Sequence, residues 1–230
     1  MLQRLFQRFV GDPNERNYKM SVKRTGCFSP QSDNLFTIGN GLLSNPTSIG
    51  VMASGNDADG RCIAHTSAGG GANQCGIISP FFTITRTGWN PVFTATFKLA
   101  QVVTQRFWVG LVSASPLGND SLIGVAQSVG IRASTTAAIT NFVAYSSSAA
   151  AENISNFAVA VPADVAVHTV TITVKNAGAG VTIQLDNQMV SFLANLPAIV
   201  TDLGFCVAVQ EQAIVAKVIR LYGGNFEADR

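Results

Sequence analysis

Apolar and polar residues alternate along much of the C-terminal two-thirds of the chain. In residues 91–99 one face carries phenylalanine, alanine and leucine while the other carries threonine and lysine, and residues 169–174 and 181–185 repeat the alternation with aliphatic side chains. A period of two places successive side chains on opposite sides of the backbone, as in a β-strand that buries one face. The pattern therefore predicts half-buried strands in these segments.

The spacing of the strands indicates how they are arranged. Apolar runs at 107–112, 205–209 and 214–222 predict further strands, and turn-forming residues at 176–180 and 186–187 separate neighbouring segments. Short strands at regular intervals with turns between them favour an antiparallel sandwich. No long helical period follows the first ten residues, so a nucleotide-binding fold of alternating strands and helices is unsupported.

The first ten residues have a different pattern, with apolar side chains on one face of a short helix that ends at Gly11-Asp12-Pro13. A helix this short is marginal alone in water, so its apolar face must pack on another surface. The body of the same chain and a partner protein are equal alternatives for that surface. The predicted partner-docking residues are Leu2, Leu5, Phe6 and Phe9.

Turn-forming residues dominate the segment between this helix and residue 80. Short apolar pieces lie between clusters of glycine, asparagine, aspartate and proline, which indicates short strands joined by long loops. The glycine-rich stretch 67–73 is predicted by its composition to be a flexible loop. We therefore divide the chain into an N-terminal arm, residues 1–25, and a sandwich domain, residues 26–230, whose regular part covers about 77–225.

The composition is poor in charge without indicating disorder. Charged residues make up 12% of the chain and apolar residues 47%, whereas a typical soluble domain is about 25% charged. Serine, threonine, asparagine, glutamine and glycine fill the polar positions, and such a surface loses little when a neighbour desolvates it. This favours a subunit of an assembly, with a neutral soluble surface as the alternative. The net charge of +2 gives no case for nucleic acid.

The N-terminal segment does not resemble a secretory signal, because Arg4 and Arg8 interrupt its apolar stretch and no small-residue cleavage site precedes Gly11. No apolar run is long enough to cross a bilayer, so we expect no membrane partner. Cysteines of a protein made in the cytoplasm are expected to be reduced and buried. A disulfide between Cys62 and Cys75 across the glycine-rich stretch is the alternative.

Three stretches resemble the concanavalin A-like (laminin G-like) jelly-roll superfamily. Residues 93–99 followed by 106–111 are similar to its paired strands, in which alternation ends in an apolar-Gly-apolar step. Residues 168–175 with 180–187 are similar to its hairpin that closes in a short Asp-Asn turn, and 216–222 to its C-terminal strand, which pairs near the N-terminus. The resemblance implies an all-β, antiparallel jelly-roll sandwich, preceded here by the short amphipathic helix and loop-rich arm.

Some enzymes of this superfamily cleave polysaccharides with two carboxylates about 5 Å apart on one strand. No predicted strand of this chain carries two acidic residues at alternate positions, so glycosidase chemistry is not expected. A nucleophilic triad needs a histidine base, and the two histidines offer little. His168 occupies a position that the resemblance makes structural, and His65 lies in the glycine-rich segment. We therefore expect no catalytic residues.

Two weak metal motifs occur in the N-terminal third. Cys62, His65 and Cys75 offer three ligands to zinc, with Cys27 as a fourth, but their spacing is not a common zinc pattern. Asp57 and Asp59 resemble half of a calcium loop without its bidentate glutamate, and the same residues are ordinary turn formers. Buried thiols and a turn are the preferred interpretations, and no cofactor is expected.

The resemblance also bears on function, because domains of this kind are common in bacteriophage virion proteins of similar composition. It implies a non-catalytic structural protein of the virion, a capsid decoration (cement) protein or another head- or tail-associated subunit, which binds major capsid or tail subunits and copies of itself. The alternative is a glycan-binding, lectin-like tail fibre or host-attachment module. Trp89, at a loop-to-strand junction, is then the candidate glycan contact, whereas Trp108 is expected in the core. The expected location is the virion, after synthesis in the host cytoplasm.

Overall fold

A computed structural model describes residues 23–28, 37–38, 41–42, 50–78 and 85–229, which form β-strands and two short 3₁₀ turns, Thr87–Trp89 and Asn176–Gly178. No helix among these residues has the length and apolar character needed to cross a membrane. The strands are β1 (Lys23–Phe28), β2 (Thr37–Ile38), β3 (Gly41–Leu42), β4 (Gly50–Asp57), β5 (Gly60–Ser67), β6 (Gln74–Ile78), β7 (Thr85–Arg86), β8 (Val92–Leu99), β9 (Gln105–Val112), β10 (Gln127–Ser134), β11 (Ile139–Ser148), β12 (Glu152–Pro162), β13 (Val167–Lys175), β14 (Gly180–Leu185), β15 (Gln188–Phe192), β16 (Asp202–Glu211) and β17 (Val218–Asp229).

The strands form two large antiparallel sheets. The first sheet has the order β15-β14-β13-β8-β17-β5-β4, and β1 also pairs with β17. The second sheet has the order β12-β11-β10-β9-β16-β6, and β7 also pairs with β16. Strands β2 and β3 form a separate pair. The antiparallel sandwich expected from the sequence is confirmed.

The core lies between the two sheets and follows the predicted alternation. Buried and half-buried residues alternate without a break along β8, and its inward phenylalanines meet those of the second sheet. Phe93 stacks on Phe205 with ring centroids 5.6 Å apart, and Phe97 lies 4.8 Å from Phe107. Burial of each such ring stabilises the fold by roughly 1.5–3 kcal/mol, so these pairs hold the two sheets together.

The C-terminal strand pairs near the N-terminus, as the resemblance implied. The first part of β17 pairs with β5, and its last part pairs with β1 from Gly224 onward. A bulge between Leu221 and Gly223 lies between the two parts. The predicted start of this strand is wrong, because Ile214 lies four residues before β17 and is exposed. Its aliphatic side chain fits the apolar pattern of a strand, but the residue lies in the loop before β17.

Strands β10, β11 and β12 fill a region in which the sequence pattern marks no strand. Seven successive residues of β10, from Ser128 to Ser134, are buried, so both faces of the strand are covered. A strand covered on both faces need not alternate. Serine, glycine and alanine also occupy many of these positions, so the apolar signal is weak.

The N-terminal third contributes more regular structure than its turn-rich sequence indicates. The β4–β5 hairpin extends the first sheet, and β6 joins the second. Regular strands therefore begin well before residue 77. The strand β1 spans the boundary expected between arm and domain at residue 25. The short helix with Leu2, Leu5, Phe6 and Phe9, and the rest of residues 1–22, lie outside the described residues.

The glycine-rich stretch, predicted to be flexible, is held by hydrogen bonds to a distant carboxylate. Glu211 accepts a hydrogen bond from the Ser67 hydroxyl and others from the backbone N–H groups of Gly69, at 2.7 Å, and Gly71, at 2.8 Å. Both glycines have positive φ, of 81° and 87°, which side-chain-bearing residues rarely adopt. Burial alone would raise the pKa of Glu211, but these hydrogen bonds outweigh it and the pKa lies below its ordinary value. The loop is therefore an anion cradle for a residue of the same chain.

Candidate functional site

The outer face of the second sheet carries the densest group of aromatic and charged side chains among the described residues. Outward positions of β9, β10 and β11 hold Trp108, Arg132 and Tyr145, while alternate positions of the same strands face the core. Gly110 and Gly130 lie opposite each other on this sheet, and a Cβ on either would approach a backbone oxygen to about 2 Å. The close approach of the strands therefore requires glycine at both positions.

A loop covers this face. Residues 113–126, here called the covering loop, connect β9 to β10 and place Leu117 and Leu122 against Trp108 and Tyr145. The two rings meet edge to face with centroids 4.8 Å apart, and their residues are only 1% and 0% exposed. Trp108 is thus buried as expected, but in a second apolar cluster outside the sandwich core.

Ion pairs fasten the covering loop to the sheet. The Arg106 guanidinium holds Asp120 with two hydrogen bonds of 2.7 and 2.8 Å, and Ser134 donates a third of 2.5 Å. The hydrogen bonds from Arg106 hold the pKa of Asp120 below its usual value. Glu152 accepts a bond of 2.9 Å from the Ser121 hydroxyl. Hydrogen bonds at Asp120 and at Ser121 therefore both hold the covering loop against the sheet.

Arg132 and Glu152 form a buried ion pair beneath the loop. Their closest nitrogen and oxygen are 2.9 Å apart, the side chains are 4% and 5% exposed, and the guanidinium lies 5.1 Å from the centre of the Trp108 ring. These two residues are the only charged ones between Asp120 and Asp164. Sequence reasoning missed the pair, although two opposite charges isolated in an uncharged segment are a usable signal for a buried pair.

The chemistry available at this face is limited by its closure. Burial raises the pKa of Tyr145 well above its usual value, which keeps the phenol neutral. Glu152 and Asp120 are both occupied by arginine, and neither aromatic ring is accessible to a ligand in this structure. As described, the face is a closed and packed cluster, in which Arg132 Nε and the Tyr145 hydroxyl are buried without a hydrogen-bond partner among the described residues.

The two candidate calcium ligands come together but face cations. Asp57 and Asp59 flank the turn between β4 and β5. Asp57 accepts a hydrogen bond of 2.6 Å from Tyr222 and lies 3.5 Å from Arg220, and Asp59 pairs with Lys98. Among the described residues, no group of three or more histidine, cysteine or acidic side chains could hold a metal ion.

The candidate zinc ligands are separated by the sandwich. Cys75 lies in the core, where its thiol approaches the carbonyl oxygen of His65 at 3.3 Å, whereas Cys62 belongs to neither apolar cluster. Burial raises the pKa of the Cys62 thiol above its ordinary value, and the negative charge of Asp57, on the outer face of the first sheet, adds to the rise. Cys62, Cys75 and Cys206 are free thiols and buried. The alternative Cys62–Cys75 disulfide is therefore absent.

His168 has the structural place that the resemblance implied. Its ring is buried between Phe97 and Phe142. Nδ1 lies 2.8 Å from an oxygen of Asp186, and Nε2 lies 3.1 Å from an oxygen of Asp164. Hydrogen bonds to these two carboxylates fix the orientation of the imidazole ring.

At one end of the sandwich, three connecting segments expose aliphatic side chains and contain no charged residue. We call residues 87–90, 176–180 and 193–201 the Ile199 end; none of them is charged. The backbone N–H of Gly88 bonds the carbonyl of Ile199, which joins two of the segments. Leu193 is 83% exposed, and Ile199 and Val200 are also largely exposed. Trp89 is half-buried at this end, with the Arg86 guanidinium 5.7 Å from its ring centre.

The opposite end is similar. We call residues 100–104, 135–138, 163–166 and 212–217 the Ile214 end, which contains two charged residues, Asp164 and a fully buried Lys217. Val103, Val165, Ile214 and Val215 are exposed there. Both ends therefore present exposed aliphatic side chains, and the Ile214 end also carries the half-exposed Asp164.

The sequence matches no protein-family model and no curated protein. Solved structures resemble the fold at low identity. A protein of unknown function from Shewanella oneidensis superposes with a TM-score of 0.63 and 14% identity, over 91% of this chain and 87% of that one. The binding domain of Paraclostridial mosquitocidal protein 1 gives 0.53 and 12%, over 88% of this chain and 48% of the other, so this chain spans about half of it.

A Bacillus licheniformis β-glucanase is also similar, with a TM-score of 0.50 and 9% identity over 90% of this chain and 97% of the enzyme. A binding domain and an enzyme thus share the architecture, and a shared fold does not transfer a function. The likenesses show the fold alone: the chain is an antiparallel β-sandwich of the jelly-roll type, consistent with a concanavalin A-like fold.

Proposed function

We propose that this protein is a non-catalytic structural subunit of a bacteriophage virion that binds neighbouring subunits through the Ile199 end of its sandwich. The observation that carries the assembly role is the exposure of Leu193, Ile199 and Val200 on connecting segments that contain no charged residue. Contiguous exposed aliphatic side chains mark interaction surfaces. The assignment to a virion rests on the composition and on the resemblance of the sequence to virion jelly rolls.

The start of strand β1 lies at the same end. In the register of the first sheet, Thr25 pairs with Glu227, and Glu227 pairs with Val92, which begins β8 directly after the Ile199 end. Strand β1 therefore begins at the Ile199 end. The docking residues predicted in the first ten positions lie outside the described residues and are a separate part of the proposal.

The absence of catalysis is supported by the state of the covered face. Its carboxylates are paired with arginine and its aromatic rings are buried under the covering loop. We expect no release of reducing sugar and no unsaturated product from a panel of polysaccharides. Turnover of any of them would contradict this part of the proposal.

A charge placed in the Ile199 end tests the assembly role. We expect Ile199→Asp to keep the circular-dichroism spectrum and melting temperature of the wild type, because the side chain is exposed, but to lose incorporation into purified particles as measured by mass spectrometry. Val159→Asp is the matched control, since Val159 is also exposed but lies farther along the edge strand β12. Equal incorporation of both variants would remove the Ile199 end from the proposal.

A second candidate function is glycan binding, which a half-exposed tryptophan favours. Trp89 lies at the Ile199 end beside Arg86. In this position its aromatic ring can stack on a sugar. A glycan array with and without calcium, read for wild type and Trp89→Ala, tests it. Binding that the substitution abolishes supports a host-attachment module, and silence of the wild type on the whole array contradicts it.

A further inference from the structure

A cavity of about 170 Å³ opens at the Ile214 end. Val102, Ile139 and Ala163 contribute to its aliphatic walls, and Gln105 and Thr140 add polar groups. An apolar cavity of about 150 Å³ is large enough to hold benzene. The space therefore suits a compact molecule of about five to eight non-hydrogen atoms.

Gln105 gives this cavity a specific polar group. The residue is 3% exposed, and its carboxamide oxygen is buried without a hydrogen-bond partner among the described residues. Its backbone is fully engaged with Thr135, through bonds of 2.9 and 3.0 Å. A buried amide that lacks a partner is costly to the fold. No described residue supplies a partner for this oxygen, which has almost no accessible surface, so a rotation of the side chain is needed to present it to a ligand in the cavity.

Backbone strain next to Gln105 points to the same place. Thr104 has a φ of 51°, and it is the only β-branched residue with positive φ in the part of the chain that the structure describes. Such a conformation is strained for a β-branched side chain. Two hydrogen bonds hold it, 3.1 Å from the Lys217 ammonium to the hydroxyl and 2.8 Å from the Gln212 N–H to the carbonyl. Strain that the surroundings maintain is typical of functional sites.

We propose that the cavity at the Ile214 end binds a small neutral aliphatic amide, which pairs with the carboxamide of Gln105. An amide offers a donor and an acceptor side by side, the complement of a glutamine side chain that can rotate to present either atom. None of the nine lining residues is ionisable, so nothing there compensates a charge on the ligand. The branched aliphatic part of the ligand contacts the valine, isoleucine and alanine walls. This site is independent of subunit assembly at the Ile199 end.

Three probes of equal size separate the contributions. Isovaleramide carries the amide, 4-methyl-2-pentanone replaces the amide NH₂ by a methyl group, and isovalerate replaces it by a charged oxygen. We expect methyl and amide NMR shifts at Val102, Ala133 and Ile139 on titration of the full chain with isovaleramide. The ketone should bind at least about fivefold more weakly, since it cannot donate, and isovalerate should not bind.

Substitutions assign the site. Gln105→Leu should lower the affinity for isovaleramide about tenfold while changing that for the ketone less than about twofold, because only the amide uses the carboxamide. Ala163→Leu should abolish both, because it fills the space. Val165→Thr is the matched control, exposed in the same end but outside the lining, and should change neither. Affinities are compared only among variants whose melting temperature matches that of the wild type.

Three results would overturn the proposal. The first is the absence of any shift at the lining residues with isovaleramide up to about 100 mM, a weak limit for a ligand of this size. The second is equal affinity of the wild-type protein for the amide and the ketone. The third is an unchanged affinity of Gln105→Leu for isovaleramide, since the second or third result would leave only an unspecific apolar void.

Discussion

The outer faces of the two sheets differ although their inner faces are built alike. On the first sheet, threonines of adjacent strands pair through their hydroxyls, Thr94 with Thr171 at 3.1 Å and Thr96 with Thr169 at 3.0 Å. On the second sheet, the outer face carries Trp108 and the pair of Arg132 and Glu152 under the covering loop. One face is therefore a plain half-exposed surface, and the other is a second core.

The difference between the two outer faces indicates which of them contributes more to the stability of the fold. A covered face converts outward positions into buried ones, so substitutions there should have the effect of core substitutions. The open face keeps its polar side chains half-hydrated, so substitutions there should be mild. The experiments below compare the two faces in order of decreasing effect.

The largest effect is expected from Trp108→Ala on the covered face. The substitution removes a fully buried ring together with its contacts to Tyr145 and Arg132, and should lower the free energy of unfolding by about 5 kcal/mol. Urea denaturation measures it. Trp89→Ala, which changes the other tryptophan of the chain at its half-buried position, should cost about 1 kcal/mol or less. Similar losses for both would show that the covering loop does not bury Trp108.

Breaking the buried ion pair should have the next largest effect. Glu152→Gln leaves the Arg132 guanidinium in its buried place without a counter-charge, at a cost of about 4 kcal/mol. Replacement of both residues, Arg132→Met with Glu152→Leu, should recover most of that loss, because no charge remains to be compensated. Denaturation of both variants gives the comparison. A double variant no more stable than Glu152→Gln would contradict this account.

Acid should act on the two sheets in different pH windows. Burial lowers the pKa of His65, on β5 of the first sheet, from 6.5 to about 4. As the pH falls, His65 of the unfolded chain therefore binds a proton before His65 of the folded chain does, and this favours unfolding. The stability is complete above pH 6.5 and falls by about 3 kcal/mol as the pH drops to 4. Asp120 in the covering loop has a pKa held below 3.8 by Arg106, so its contribution is present above pH 3.8 and is lost only at lower pH.

Unfolding free energies measured from pH 7 to pH 3 test this order. His65→Gln should remove the loss between pH 6.5 and 4 and leave the response below 3.8 unchanged. Asp120→Asn should do the reverse. An unchanged slope between pH 6.5 and 4 in His65→Gln would assign the titration to another group.

The smallest effect is expected on the open face. Thr94→Ala and Thr171→Ala should each change stability by about 0.5 kcal/mol or less, and their coupling in a double-mutant cycle should stay below about 1 kcal/mol. Thermal unfolding of the two single variants and the double variant provides the measurement. A coupling of several kcal/mol would mean that another surface covers this face in solution.

Sequence reasoning worked well where one strand face is open and poorly where both are covered. The open face of β8 yields a clean alternation, and its phenylalanines were placed correctly in the core. On β10 the covering loop removes the polar half of the pattern, and the strand was not foreseen. Among the predicted site residues, Asp57 and Asp59 pair with cations and Trp89 is half-buried. Gln105 and Glu211 carry no sequence signal, because the roles of these two residues depend on partners far away in the chain.

The sequence alone determined the fold class, the antiparallel arrangement and the uncharged character of the surface, because alternation, turn residues and composition are local properties that need no knowledge of distant neighbours. The tertiary structure decided which outer face is covered, which charges are paired and where the cavity lies. The contact of Glu211 with the glycine-rich loop joins residues about 140 positions apart, and no local pattern encodes such a pairing. Local periodicity reports which side of a strand is buried, but only the folded chain shows what buries it.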